Sequence, residues 1–196
     1  MDITASAIIC AVRNHGETGA IVRAFSEEYG MLAGYVQGAR GRQLRPVLIP
    51  GNVITGEWRT RITGQLARLT PEPLHSRAHL LGEPLAIAAI DWVTALTAAT
   101  LAEGVPYPRV YSACDGLLSA IELAPAARVW AGAIAQYETL LLAELGYAED
   151  YDADSAPVAM MAQNRKRLVA HVLGDRRADV MAARERLVDR LKRAVA

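Results

Sequence analysis

Cysteine, lysine and long apolar runs are what this 196-residue sequence has least of, and each shortage removes a class of protein. The two cysteines, Cys10 and Cys114, lie about a hundred residues apart inside apolar patterns. They supply no disulfide framework and no thiol cluster for a metal, and both read as small core residues. No stretch reaches the roughly 20 apolar residues that a membrane span needs. The opening MDITASAIICAVRN has neither a basic flank nor a small-residue cleavage site, so a soluble cytoplasmic protein with no membrane association is expected. Lysine occurs only as Lys166 and Lys192, leaving arginine as 19 of the 21 basic residues. The planar guanidinium fork suits bidentate phosphate recognition; GC-rich codon usage produces the same bias.

Catalytic motifs are missing as well. There is no Walker loop, no dinucleotide fingerprint and no serine-hydrolase elbow. Among the four histidines, His15, His75, His79 and His171, only His75 and His79 have a spacing that lets two rings share a helix face. No carboxylate or thiol at matching spacing completes a metal set, so they read as surface histidines. Asp150, Asp152 and Asp154 lack the glycine and closing glutamate of a calcium loop. No catalytic residue, metal site or cofactor is expected.

Hydrophobic residues make up 52% of the chain and charged ones 21%, the composition of a folded protein. The net charge of zero hides a partition. Residues 1–80 carry nine arginines against six acids, residues 81–157 two arginines against eleven acids, and residues 158–196 ten basic residues against four acids. Periodicity divides the chain near residue 75. Before it, five short segments alternate like strands: Ile3 to Val12, Ala20 to Phe25, Met31 to Val36, Val53 to Trp58 and Gln65 to Leu69. So many short strands in about 70 residues predict a small closed barrel, bent at its glycines. After it, Pro84 to Ala102, Pro108 to Ile121 and Pro125 to Leu145 show helical spacing with a proline in each first turn and Gly146 as a C-cap. Residues 148–157, AEDYDADSAP, read as an acidic loop, and from Met160 the helical pattern resumes in two pieces divided by Gly174. The expected fold class is α+β: an N-terminal five-stranded OB-fold β-barrel over 1–75, then an all-α helical domain over 76–196.

On such a barrel the chemistry-bearing feature is the loop after the third strand. Arg40, Arg42 and Arg45 are spaced by glycine and no acid occurs from Val36 to Pro50, so the loop reads as a phosphate-binding surface. Arg13 and His15 at the first turn, and Arg59 and Arg61 after Trp58, are further candidates. Oligonucleotide-binding barrels add aromatic stacking to a basic groove. Tyr29, Tyr35 and Trp58 are the available rings, with Tyr35 and Trp58 equally readable as barrel filling.

The order of an N-H-G-E-T turn, an I-V-R-A-F-S-E-E-Y-G-M-L strand pair and Q-G-A-R-G-R-Q-L-R-P resembles the N-terminal domain of the bacterial recombination mediator family RecO. The A-Q-Y-E-T-L-L-L-A-E-L-G-Y segment from Ala135 to Tyr147 looks like that family's helical domain. The resemblance implies a repair protein without catalytic residues of its own. Such a protein binds single- and double-stranded DNA, anneals complementary strands, contacts the single-stranded-DNA-binding protein and, with RecR, helps load the recombinase RecA. It places the basic surface on Arg40, Arg42 and Arg45, with Arg13 beside them. Many members carry a four-cysteine zinc module after the L-G-Y helix; here that place holds a cysteine-free acidic run, which contradicts a zinc site.

Two further expectations concern the helical part. Arg165, Lys166, Arg167, Arg176 and Arg177 either extend the DNA surface or form a solvated basic face. Arg109 and Arg128, the sole cations between 81 and 157, are candidate clamps for the acidic tail of the single-stranded-DNA-binding protein, or merely balance nearby acids. The competing class is an OB-fold protein–protein adaptor without direct DNA binding. An enzyme acting on nucleic acid ranks last, because the barrel half scatters its carboxylates instead of clustering them.

Overall fold

Alternation of apolar and polar side chains produces five strands in the first 75 residues: β1 (Asp2–His15), β2 (Gly19–Ser26), β3 (Gly30–Val36), β4 (Val53–Arg59) and β5 (Ala67–His75). The computed structural model describes residues 2–60, 62, 64–124, 126–147, 157–173 and 178–195. The strands close into a barrel in the order β1-β2-β3-β5-β4, antiparallel at every seam except β3/β5, which is parallel. This is the expected OB-fold barrel followed by helices.

Inward positions bury Ala7, Ile9, Val22, Ala24, Ile54, Trp58 and Leu69. Trp58 is the largest of them, and the sheet is built around it. A Cβ on Gly56 would lie 2.4 Å from the Trp58 ring, and one on Gly34 would lie 2.6 Å from the Leu69 Cβ and 3.0 Å from Trp58. Glycine is thus required at both positions by space. Trp58 is fully buried, which removes it from the list of rings able to stack on a base.

Two strand ends differ from expectation. β1 continues past Val12 to His15, so Arg13 is a strand residue and not part of the turn. The register of β1 against β2 shifts between Ile9 and Ala11. This bulge exchanges the two faces, so Ile9 and Val12 both point toward the core while Arg13 is exposed. β5 runs on through Pro71 and Pro73 to His75, beyond the expected end at Leu69. The two prolines share one parity opposite Gly56 and Ile54, and β5 pairs with β3 only through Ala67 and Arg68. Past that point the strand has a free side where a missing N–H breaks no ladder. His75 therefore closes a strand while His79 lies in a 3-10 turn (Ala78–Gly82), and the two do not share a helix face.

The helices are α1 (Pro84–Thr100), α2 (Pro108–Leu123), α3 (Ala131–Glu144), α4 (Pro157–Arg167) and α5 (Ala178–Val195). A π-helical turn (Leu168–Leu173) extends α4, and a 3-10 turn (Ala127–Val129) precedes α3. α3 thus starts later than its sequence pattern suggests, after Trp130 donates its indole N–H to the Ala124 carbonyl at 2.9 Å. Its end is a Schellman motif: the Tyr147 amide donates to Leu142, the Gly146 amide to Ala143, and Gly146 has φ +88°. None of the helices described is long and apolar enough to cross a membrane. Residues 148–156, Gly174, Arg176 and Arg177 lie outside the described residues.

The chain divides into two compact units, Met1–Gly82 with Thr94–Pro108, and Glu83–Val93 with Arg109–Ala196. In the first, the Gly104 amide donates to Met31 at 3.0 Å, and a Cβ on Gly30 would lie 2.0 Å from the Val105 carbonyl oxygen. In the second, the apolar faces converge on a buried polar cluster. Arg184 of α5 donates to both Glu138 oxygens at 2.9 and 3.1 Å and also to the Met161 carbonyl. The Trp92 indole donates to Glu138 at 2.9 Å, and the Arg184 guanidinium lies 5.7 Å from the Trp92 ring centroid. Asn164 donates to the Ala135 carbonyl at 3.0 Å. Burial pushes the Glu138 carboxyl up, while Arg184, Asn164 and Trp92 pull it back.

Candidate nucleic-acid interface

The residues between β3 and β4 form consecutive tight turns instead of an open loop. The Gly41 amide donates to Gly38, Arg45 to Gly41, and both Val47 and Leu48 to Leu44, at 2.8–3.0 Å. Asn52 is 2% exposed and donates its side-chain amide to Pro46 and Val47 at 3.1 Å each. Its amide oxygen accepts the Arg77 backbone N–H at 2.8 Å. Ala39 and Leu48 are buried in the barrel core, with Leu44 and Val47 packed against it. The loop therefore has a core of its own to fill, and its apolar residues hold it down. Its arginines are what is left outside: Arg40, Arg42 and Arg45 are all exposed, and no ion pair engages them among the described residues.

Arg40 and Arg45 meet at one feature, a cavity of about 330 Å³ at the mouth of the barrel. Val12, Ala20, Ala39 and Leu48 form its apolar floor, and Asn14, Arg40 and Arg45 its polar lining. The Arg40 amide donates to the Thr18 carbonyl at 3.3 Å, which ties this loop to the β1–β2 turn. Arg42 is exposed on the same turns but does not line the cavity.

One rung away from the mouth, the outer face carries a row that only strand pairing creates. Arg13 is opposite Ile21, Ile21 opposite Tyr35, Tyr35 opposite Arg68, and Arg68 opposite Arg59. Because the barrel is closed, this row winds round its wall, so Arg13, Tyr35 and Arg68 adjoin across β1, β2, β3 and β5 while Arg59 lies further round on β4. Arg68 is absent from the candidates read from sequence. Its outward parity between Ala67 and Leu69 was the available signal, but its neighbours come from β3 and β4 and are invisible along the chain. Arg59 is the weakest cation in the row, since Glu57 lies 3.2 Å from it and Asp2 is its register partner on β1. Arg61 lies outside the described residues.

Tyr35 is half-buried and lies along the barrel wall. A Cβ on Gly19 would be 2.2 Å from its hydroxyl oxygen, and the His15 ring meets it edge-on at 6.0 Å. Tyr29 sits in the turn at the opposite end of β2, which is about 25 Å long. Its hydroxyl interacts with Glu28, which raises its pKa. Tyr35 is thus the ring beside the arginines.

In the helical unit, Arg109 and Arg128 are both exposed; Arg109 lies in the first turn of α2, a helix about 24 Å long, and Arg128 in the 3-10 turn that follows its other end. Arg109 donates to Glu144 at 2.8 Å. Arg128 is followed by the exposed Val129, at 60% exposure. Arg165 lies 3.4 Å from Glu185, and Lys166 is exposed. Cys10 and Cys114 are buried and not joined in a disulfide. No group of three metal-ligating side chains occurs among the described residues.

Residues 1–77 match the family model described as "Recombination protein O N terminal", and residues 81–194 match "Recombination protein O C terminal". The chain belongs to the RecO family. It is 36% identical over 157 residues to a protein named DNA repair protein RecO from Ruegeria sp., covering 80% of this chain and 64% of that one. A RecO of the same name from Gluconacetobacter diazotrophicus is 35% identical over 156 residues, covering 78% and 61% respectively. The Caulobacter vibrioides protein is 34% identical over 145 residues, covering 74% and 58%. This RecO chain thus spans about three fifths of the length of the curated relatives it matches.

Proposed function

We propose that this RecO-family chain is a non-catalytic DNA repair and recombination mediator whose barrel, residues 1–75, binds single- and double-stranded DNA. The observation that carries the reading is the run of exposed arginines without ion-pair partners among the described residues: Arg40, Arg42, Arg45, Arg13 and Arg68, flanking the half-exposed Tyr35 ring. Phosphates are held by the guanidinium groups, and a base stacks on Tyr35. Annealing of complementary strands then needs only that two strands be held together with their base edges free. The helical domain, residues 76–196, supplies the protein contacts: RecR, through which RecA is loaded, and the tail of the single-stranded-DNA-binding protein. The reading places the protein in the cytoplasm at the nucleoid.

The test is a mobility shift with single-stranded DNA at low and moderate salt, joined to a strand-annealing assay without nucleotide. Binding that weakens steeply with salt, together with nucleotide-independent annealing, is expected. Failure of both assays favours the adaptor reading. One observation speaks for protein docking in addition to DNA binding: Val129 is exposed next to Arg128 in the same 3-10 turn, an apolar side chain and a cation suited to an acidic tail ending in hydrophobic residues. A fluorescence titration with the tail peptide should show weaker binding by Arg128→Ala than by the parent. Arg109, engaged with Glu144, should matter less.

A further inference from the structure

We propose that the cavity at the barrel mouth receives one unstacked nucleobase of a bound single strand. This rests on the reading that the barrel holds DNA, and it adds a place where a base, and not only the backbone, is bound. The mouth of a β-barrel is a preferred position for a ligand site, and about 330 Å³ lies at the small end of the range such sites occupy.

The lining decides the chemistry. Val12, Ala20, Ala39 and Leu48 offer an apolar floor, two of them small enough to leave the space open. A phosphate or carboxylate would pair with Arg40 and Arg45 but would leave the apolar floor without a matching surface. A base has apolar faces and a polar edge, which is what the cavity presents in reverse. Asn14 supplies the edge partner, since a side-chain amide offers a donor and an acceptor together, the pattern that pairs with base edges. Its side chain makes no hydrogen bond among the described residues. Arg40 and Arg45 flank the cavity and take the phosphates on either side of the inserted nucleotide.

Geometry makes the entry continuous with the outer row. Asn14, Ala20 and Val36 form the rung next to Arg13, Ile21 and Tyr35, with opposite parity. A strand crossing the outer row therefore reaches the mouth within one rung. A base leaving the Tyr35 ring enters the cavity without the backbone leaving its arginines.

The experiment uses the full chain and a short single strand carrying one 2-aminopurine, with a fluorescein end label followed by anisotropy. Stacked neighbours quench 2-aminopurine, and no aromatic residue lines the cavity, so an inserted base brightens on saturation. Ala39→Leu fills the floor and keeps every arginine. At DNA concentrations that saturate it by anisotropy, it is expected to lose most of the brightening. Asn14→Leu plugs the mouth from an exposed position and should give the same loss, which keeps the test intact if Ala39→Leu fails to fold. Arg68→Ala should weaken binding yet preserve brightening at saturation. Parent-like brightening in both plugged variants, or a bound parent that never brightens, overturns the base site. A parent that shows no anisotropy change at all overturns the DNA reading itself, and the two failures are told apart by the two signals.

Discussion

In the helical unit the Arg184 side chain is 3% exposed and held by both oxygens of Glu138, whereas in the barrel unit Arg40, Arg42 and Arg45 stand in solvent with no ion pair among the described residues. The residue type is the same and the physical setting is opposite. A buried guanidinium is tolerated only with its charge matched and its donors filled, so Arg184 is committed to internal structure. An exposed guanidinium without an acid keeps its donors for a ligand. Loop arginines become informative once their apolar neighbours, Ala39 and Leu48, are seen to do the anchoring.

The strongest way to break this contrast is to remove one side of the buried pair. Glu138→Ala leaves Arg184 uncompensated and should lower the unfolding free energy by about 3–5 kcal/mol in a denaturant titration. Replacing both partners together, Glu138→Leu with Arg184→Met, should recover much of that loss. A next, smaller effect is expected in the barrel core. Gly34→Ala places a methyl 2.6 Å from the Leu69 Cβ and should destabilise by about 1–3 kcal/mol, read as a lowered melting temperature. Arg68→Ala should leave stability within about 0.5 kcal/mol of the parent. Its single-strand affinity should nevertheless fall and its salt slope drop by about 0.7.

The smallest predicted effect depends on pH. Burial raises the Asp91 carboxyl above its ordinary 3.8, outweighing the downward pull of Arg186. A carboxyl raised in the folded state favours that state when protonated, below its unfolded value, and the benefit disappears as pH rises through the folded value. Asp91→Asn should therefore unfold at slightly higher denaturant than the parent near neutral pH, with the difference closing below about pH 4. A difference that widens on acidification would show that Arg186 dominates.

Much of the barrel was legible because alternation and turn glycines are local signals. The misjudged ends have particular causes. The bulge at Ile9/Ala11 switches faces within a strand, and Pro71 with Pro73 reads as a stop until the one-sided pairing of β5 is known. The arginine loop was legible through its lack of acids. Its anchors and Asn52 were not, since their partners lie on other elements. Arg68 and the Glu138–Arg184 pair escaped for the same reason: register across a parallel seam and a partner 46 residues away leave no trace in linear spacing.

The central claim is that the loop arginines hold phosphates, and the salt dependence of single-strand binding tests it most directly. Changing Arg40, Arg42 and Arg45 together to alanine should weaken binding to every sequence and reduce the slope of log affinity against log salt by about two. The melting temperature should stay at the parent value. An unchanged slope and affinity in that folded triple variant would contradict the account and move the DNA surface elsewhere.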